Sequence, residues 1–296
     1  MIEQKLNAED LKRFRRELIL QERSTATVEK YLRDTCQFKT WLGGRAVSPE
    51  AVTAWKKELL ARGYHPATVN GKLAAVNALF RLLGWEGCRA RSLRLQRQIF
   101  REERRELTRA EYLRLVCKAR EQGRERLALL LETICGTGIR VSEVRAITVE
   151  AARRGCAEIA LKGKIRTILL PGKLCRKLLK YARKNKIASG EIFLARGGNP
   201  LSRKRIWAEM KSLCAAANVS PDKVFPHNLR HLFAREFYAH TRDVVQLADI
   251  LGHSSLTTTR IYLISTGSEH RRKLDQLHLV SWKRKKYSVQ PLQIFT

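Results

Sequence analysis

Glycine and proline cut the first hundred residues into short helical lengths, and this punctuation constrains the fold more than any other feature. Val28, Tyr31, Leu32, Phe38, Trp41 and Leu42 recur at helical spacing; Thr25-Ala26-Thr27 supplies a cap and Gly43-Gly44 a stop. Ser48-Pro49-Glu50 opens a second helix with Val52, Trp55, Leu59 and Leu60 on one face, closed by Arg62-Gly63. Pro66 starts a third, carrying Val69, Leu73, Val76, Leu79, Phe80 and Leu83 and halted by Gly84. A small helical domain over residues 1–88 is expected.

Charge narrows the partner. Lys and Arg number 59 against 28 acids, a net +31. Through Glu106 there are 22 basic and 13 acidic residues (+9); after it 37 and 15 (+22), so both halves are basic. A compact domain under that self-repulsion suits a polyanion, with nucleic acid ahead of an anionic membrane surface or a merely solvated basic one. Uncharged stretches of about ten residues fall short of the roughly 20 that a membrane helix needs. Residues 1–10 hold four charges and no apolar segment, unlike a secretory signal. Seven cysteines, an odd set without a C-x-x-C pair, speak against a disulfide framework or a cysteine-rich zinc site and read as mostly small buried hydrophobes. A cytoplasmic protein, associated with the nucleoid, is expected.

From Arg89 to Arg105 apolar periodicity fails and arginines dominate. Residues 89–106 read as a basic linker crossing a phosphate backbone, or as a solvated connection. Arg91, Arg94 and Arg97, with Lys72 in the first domain, are the candidate DNA contacts. A second domain, residues 107–282, begins where Thr108 and Glu111 stand at capping-box spacing. Leu127 to Ile134 reads as a buried helix broken by Gly136-Thr137-Gly138. Around Glu158–Leu161 and Thr167–Leu170 the pattern shortens to strands about Lys162-Gly163-Lys164, a hairpin. Helical patterns then run to about Leu279, and residues 283–296 form a tail, basic and then apolar. The fold class is mainly α with a small β-sheet.

Three segments carry chemistry. In Gly136-Thr137-Gly138-Ile139-Arg140-Val141-Ser142-Glu143 two glycines let the chain turn, and Arg140 arrives as a new helix starts, an arrangement suited to clamping an anion. A surface arginine after a glycine break is the plainer reading. In Pro226-His227-Asn228-Leu229-Arg230-His231, His227 and Arg230 share a helix face. His227 and His231 have zinc-protease spacing, but Asn228 stands where that motif needs Glu. In Leu251-Gly252-His253-Ser254-Ser255-Leu256-Thr257-Thr258-Thr259-Arg260-Ile261-Tyr262, Gly252 stops a helix and places His253 at a corner. Ser254 or Ser255 then caps the helix that carries Tyr262.

In this order the three segments resemble the tyrosine recombinases, the phage-integrase and Xer-type superfamily. The matches are Thr-Gly-Ile-Arg-Val-Ser-Glu at 137–143, His-Asn-Leu-Arg-His at 227–231 and Leu-Gly-His-Ser-Ser…Thr-Thr-Arg-Ile-Tyr at 251–262, with the nine-residue interval from His253 to Tyr262. The resemblance spans nearly the whole chain. Thr27 and Tyr31 match the Thr-x-x-x-Tyr segment of the family's core-binding domain, while its optional N-terminal arm-binding domain is not expected. It implies a two-domain clamp, a helical core-binding domain and an α+β catalytic domain, with an active site of Arg140, Lys162, His227, Arg230, His253 and Tyr262. The family's lysine usually stands in Gly-Lys-Gly; here Leu161 precedes Lys162, and Lys164 is its rival.

Also implied are double-stranded DNA with inverted-repeat core sites as partner, a homotetramer on two duplexes and a Holliday junction. In the tail, Val289, Leu292, Ile294 and Phe295 follow the basic Lys283–Lys286 stalk, an apolar end that either folds back on its own domain or, as the stalk and the resemblance favour, docks on a neighbouring subunit. An accessory DNA-bending or directionality factor remains open, as does the role in moving a mobile element. Two other functions are weighed: a type IB topoisomerase that nicks and relaxes DNA, and a non-catalytic DNA-binding regulator.

The side chains suit phosphodiester chemistry. Arg140 and Arg230 neutralise non-bridging oxygens, and His253 donates a further bond. Tyr262 is the nucleophile, His227 the base or relay, and Lys162 the acid for the departing 5′ oxygen. No carboxylate cluster for Mg²⁺ and no phosphate-cradling ATP loop accompany them, so neither metal nor cofactor is expected. Glu143 is assigned to orienting its neighbours.

Overall fold

Short amphipathic helices become stable only by packing, and the chain does this in two compact units, residues 1–97 and 98–296. The computed structural model describes residues 4–95, 105–161, 164–195, 197–253, 255, 258–259, 271–272, 274–277 and 279.

The first unit comprises α1 (Ala8–Leu20), α2 (Thr25–Leu42), α3 (Pro49–Ala61) and α4 (Pro66–Leu83). A reciprocal capping box between Asn7 and Asp10 starts α1, a helix not delimited in the sequence pattern. Ser24, rather than a threonine, caps α2, its Oγ accepting from the Thr27 amide. Gly43 ends α2 and Gly84 ends α4, both left-handed (φ 59° and 74°). The buried Phe38 ring joins the helices, its centroid 4.9 Å from Trp55 and 5.9 Å from Phe80.

Residues 89–93, the start of the expected linker, are held along α4. Asn77 exchanges two hydrogen bonds with the Ala90 backbone (2.9 and 3.1 Å) and Asn70 two with Leu93 (2.7 and 2.9 Å). Lys72, expected to meet DNA, is buried, with Nζ 3.3 Å from Asp34 and bonded to Gln37 at 2.5 Å. The buried Asp34 carboxylate needs that ammonium, and also takes Lys30 at 2.7 Å. Arg91 and Arg94 are exposed, and Arg97 lies outside the described residues.

The second unit runs α5 (Arg109–Glu121), α6 (Glu125–Thr137), a 3₁₀ turn (Val141–Ala146), α7 (Val149–Arg154), β1 (Cys156–Leu161), β2 (Lys164–Leu169), α8 (Gly172–Lys184), α9 (Arg203–Lys211), α10 (Pro226–Thr241) and α11 (Val244–Leu251). Thr108 and Glu111 form the expected capping box (2.8 and 3.2 Å). The strands pair antiparallel, Cys156 opposite Leu169 through Leu161 opposite Lys164, so β2 starts three residues before the apolar run at Thr167. Buried Leu127, Leu130, Leu131 and Ile134 make α6 the spine of the core. Gly136 does not break it: α6 passes through Gly136 and ends at Gly138, the one of the pair with positive φ (65°). The cysteines are less uniformly buried than expected: Cys88, Cys175 and Cys214 are buried, whereas Cys36 and Cys117 are exposed. No described helix is long and apolar enough to cross a membrane.

Candidate active site

The site begins at the left-handed Gly138. A Cβ there would lie 2.4 Å from Phe233 and 3.0 Å from Leu251, so only glycine lets the end of α6 approach α10 and α11 this closely. Two residues on, Arg140 caps the 3₁₀ turn with Glu143. The Arg140 amide donates to Glu143 Oε2 (2.7 Å) and its Nη1 to Oε1 (2.9 Å). Glu143 is fully buried and the Arg140 side chain 41% exposed, so the guanidinium is fixed on one side and open on the other. This bears out the orienting part expected of Glu143.

Pro226 fixes the first turn of α10, which carries both His227 and Arg230. Arg230 is 2% exposed. Its Nη1 donates to the Gly138 carbonyl, and its Nη2 donates to the Leu251 carbonyl (2.7 Å) and faces His253 Nε2 (3.0 Å). One guanidinium thus gathers all three sequence segments. Both Nη2 hydrogens are engaged, so a two-pronged grip on phosphate requires His253 or the carbonyl to release it.

His253 follows Gly252, which ends α11 in the left-handed region. With Nε2 accepting from Arg230, the ring proton sits on Nδ1 and donates to Thr259 Oγ1 at 2.8 Å. Thr259 is fully buried. Burial, then Arg230, Arg140, Arg166 and His227, pull the His253 pKa down to about 4, so the ring is neutral at pH 7 and its Nε2 accepts from Arg230. His227 keeps an exposed edge. Burial of the rest of its ring, with Arg230 and Arg140 nearby, lowers its pKa, leaving a neutral imidazole. Its centroid is 4.4 Å from His231, edge to face. Asn228, where a zinc protease needs Glu, bonds the carbonyls of Arg105 and Lys223 (both 2.7 Å). No group of three described His, Cys, Asp or Glu residues is placed to hold a metal.

Sequence reasoning missed Arg166. It lies on β2 opposite Ile159, on the inward side with Ala157 and Ile168, while Ile165 and Leu169 face solvent. Its Nη1 reaches Glu143 Oε1 at 3.4 Å and its Nη2 donates to the Ile250 carbonyl at 2.9 Å. Burial, opposed by Glu143 and reinforced by Arg230 and Arg140, lowers its pKa to about 10, still charged at neutral pH. A charge on the inner side of a strand was the available signal. Lys162 and Tyr262 lie outside the described residues; Lys164 opens β2 opposite Leu161.

Two guanidinium groups on one buried carboxylate, with Arg230 against His253 as a third, leave an excess of fixed positive charge beside two neutral imidazoles. Such a site receives an anion and offers an uncharged nitrogen base, the requirements of phosphodiester chemistry.

Comparison with known proteins gives the class. The sequence profile of the phage integrase family matches residues 105–269, and that of the phage integrase N-terminal SAM-like domain residues 11–87. Tyrosine recombinase XerA of Pyrococcus furiosus is 29% identical over 95% of this chain and 98% of its own. Tyrosine recombinase XerC of Roseiflexus castenholzii is 30% identical over 81% of this chain and 83% of its own. In fold the chain is similar to a lambda integrase dimer bound to a COC′ core site (TM-score 0.70, 18% identity, 87% of this chain and 95% of that one). The chain belongs to the phage integrase family of tyrosine recombinases. It is accordingly an enzyme of the site-specific recombinase type.

Proposed function

We propose that this recombinase cleaves and rejoins DNA through a covalent 3′-phosphotyrosine on Tyr262, working as a homotetramer on two inverted-repeat core sites through a Holliday junction. The observation that carries the reading is Arg230, which draws the Gly138 end of α6, α10 and the Gly252–His253 corner around one guanidinium.

Tyr262 Oη attacks phosphorus while its proton passes to His227, whose lowered pKa keeps it unprotonated at pH 7. The exposed edge of Arg140 meets one non-bridging oxygen. Arg230 meets the other once His253 turns from it, and the released imidazole then moves its single N–H, on Nδ1, from Thr259 to the phosphoryl group. The P–O5′ bond breaks and Lys162 gives the leaving oxygen its proton. The phosphotyrosine conserves the bond energy for religation, which runs the same steps in reverse. Residues 1–88 serve as the core-binding domain and 107–282 as the catalytic domain. The tail, 283–296, docks on a neighbouring subunit, and movement of a mobile element is the biological role.

The test uses a nicked suicide duplex. The wild type should leave a protein–DNA adduct on a denaturing gel, and Tyr262→Phe should leave none; an adduct from the variant would overturn the reading. Strand exchange between two labelled duplexes separates recombination from simple relaxation. With a bridging 5′ sulfur, Lys162→Ala should recover most of its rate, because a thiolate leaves without a proton. Recovery of Lys164→Ala alone would transfer the acid role to Lys164.

A further inference from the structure

Arg166 is a part-buried charge that the reaction above does not use. Its side chain is 13% exposed, and its Nε is buried without a hydrogen-bond partner among the described residues. The strand alternation places it where an apolar residue belongs, since its inward neighbours Ala157 and Ile168 are core. A guanidinium held there at the expense of desolvation needs a reason, and its contacts supply one.

One end of the group shares Glu143 Oε1 with Arg140. The other end holds the carbonyl of Ile250, three residues before His253. Between them its stem runs against Gly252, where an added Cβ would lie 2.3 Å from Arg166 Cδ and 2.8 Å from Nε. The absence of a side chain at 252 is what lets the arginine pass.

We propose that Arg166 is a positioning residue for strand cleavage. From β2 it spans the Arg140–Glu143 box and the end of α11, and so sets the separation between the Arg140 guanidinium and the His253 corner. This rests on the proposed function for its kinetic consequence alone; its effect on His253 is measurable without any reaction. Arg166 acts through Arg140 and His253 and is independent of the leaving-group proton.

The experiment compares full-length wild type, Arg166→Met and Arg166→Lys. At saturating suicide duplex, Arg166→Met should cleave ~100-fold more slowly, the order expected of a catalytic group displaced by about 1 Å, while its Kd for a single site changes less than about threefold. Arg166→Lys keeps the charge without the planar fork and should recover only part of the rate. Wild-type cleavage by Arg166→Met, a fall in affinity as large as the fall in rate, or full recovery on the 5′-sulfur substrate would each overturn the proposal. Gly252→Ala forces the arginine stem aside, so its rate loss should be non-additive with that of Arg166→Met; additive losses count against the proposal.

The second readout is the ¹H–¹⁵N spectrum of the histidine rings in the DNA-free protein. His253 signals should shift in both Arg166 variants while those of His65, in the first unit, stay in place. Unchanged His253 signals would overturn the inference. Failure of the wild type to form an adduct, with the His253 shift present, would instead remove the proposed function and leave the positioning contact standing.

Discussion

Gly138→Ala tests whether backbone geometry at one residue builds the site. The φ of 65° places an L-residue in the left-handed region, at about 1–2 kcal/mol. The new methyl would stand 2.4 and 2.7 Å from Phe233 ring carbons and 3.0 Å from Leu251 Cδ2. Relieving such overpacking costs about 1–3 kcal/mol. Restricting the unfolded chain offsets about 0.4–1 kcal/mol. The net is a destabilisation near 3 kcal/mol, or ~100-fold in an opening equilibrium. Hydrogen exchange read by mass spectrometry on peptides covering 125–145 should show that loss of protection at the end of α6. Because the Gly138 carbonyl accepts from Arg230 Nη1, cleavage of the suicide duplex should fall by more than the stability loss alone explains. Gly136→Ala is the control. Gly136 lies inside α6 with nothing within 4 Å of an added Cβ, and alanine there should add about 0.5–1 kcal/mol of protection. Wild-type protection and cleavage in Gly138→Ala, or equal effects of the two substitutions, would refute the reasoning.

Three further outcomes are expected. Thr259→Val removes the acceptor of the His253 Nδ1–H while keeping shape, so cleavage should drop ~10-fold or more and the ring ¹⁵N shifts should report a mixed tautomer, with helix content unchanged by circular dichroism. Lys72→Ala strips a buried partner from Asp34 and should destabilise the first unit by about 1–3 kcal/mol in urea titration, yet leave the salt slope of DNA binding unaltered, whereas Arg91→Ala and Arg94→Ala should each reduce that slope by about one. The unfolded chain binds a proton at His253 near pH 6.5, but the folded protein only near pH 4. Stability from the neutral ring is therefore complete above about pH 6.5 and declines as pH falls to about 4; His227, also lowered, acts in the same direction. Urea titrations of His253→Gln should be flatter than wild type across that window.

Much of this protein was written in interactions that span four residues or fewer. Helical period, the Thr108–Glu111 box and the stops at Gly43 and Gly84 are local, so the order of residues specifies them directly, and the hairpin pairs two strands adjacent in sequence. The three motif segments were legible for the same reason, with Arg140, His227, Arg230 and His253 recognised from short runs. The tertiary structure alone distinguished Gly138, which meets Phe233 and Leu251, from Gly136, which meets nothing. It alone buried Lys72, because Asp34 on another helix is also buried, and fastened residues 89–93 to asparagines on α4. Arg166 is the sharpest case. Its partners Glu143 and Ile250 are 23 and 84 residues away, as Gly138 is 92 from Arg230, and contacts over such intervals leave no period or cap to read. A charge on the inner side of a strand is unfavourable by every local rule; only the folded site, which brings it a carboxylate, a carbonyl and a bare glycine, makes it stable.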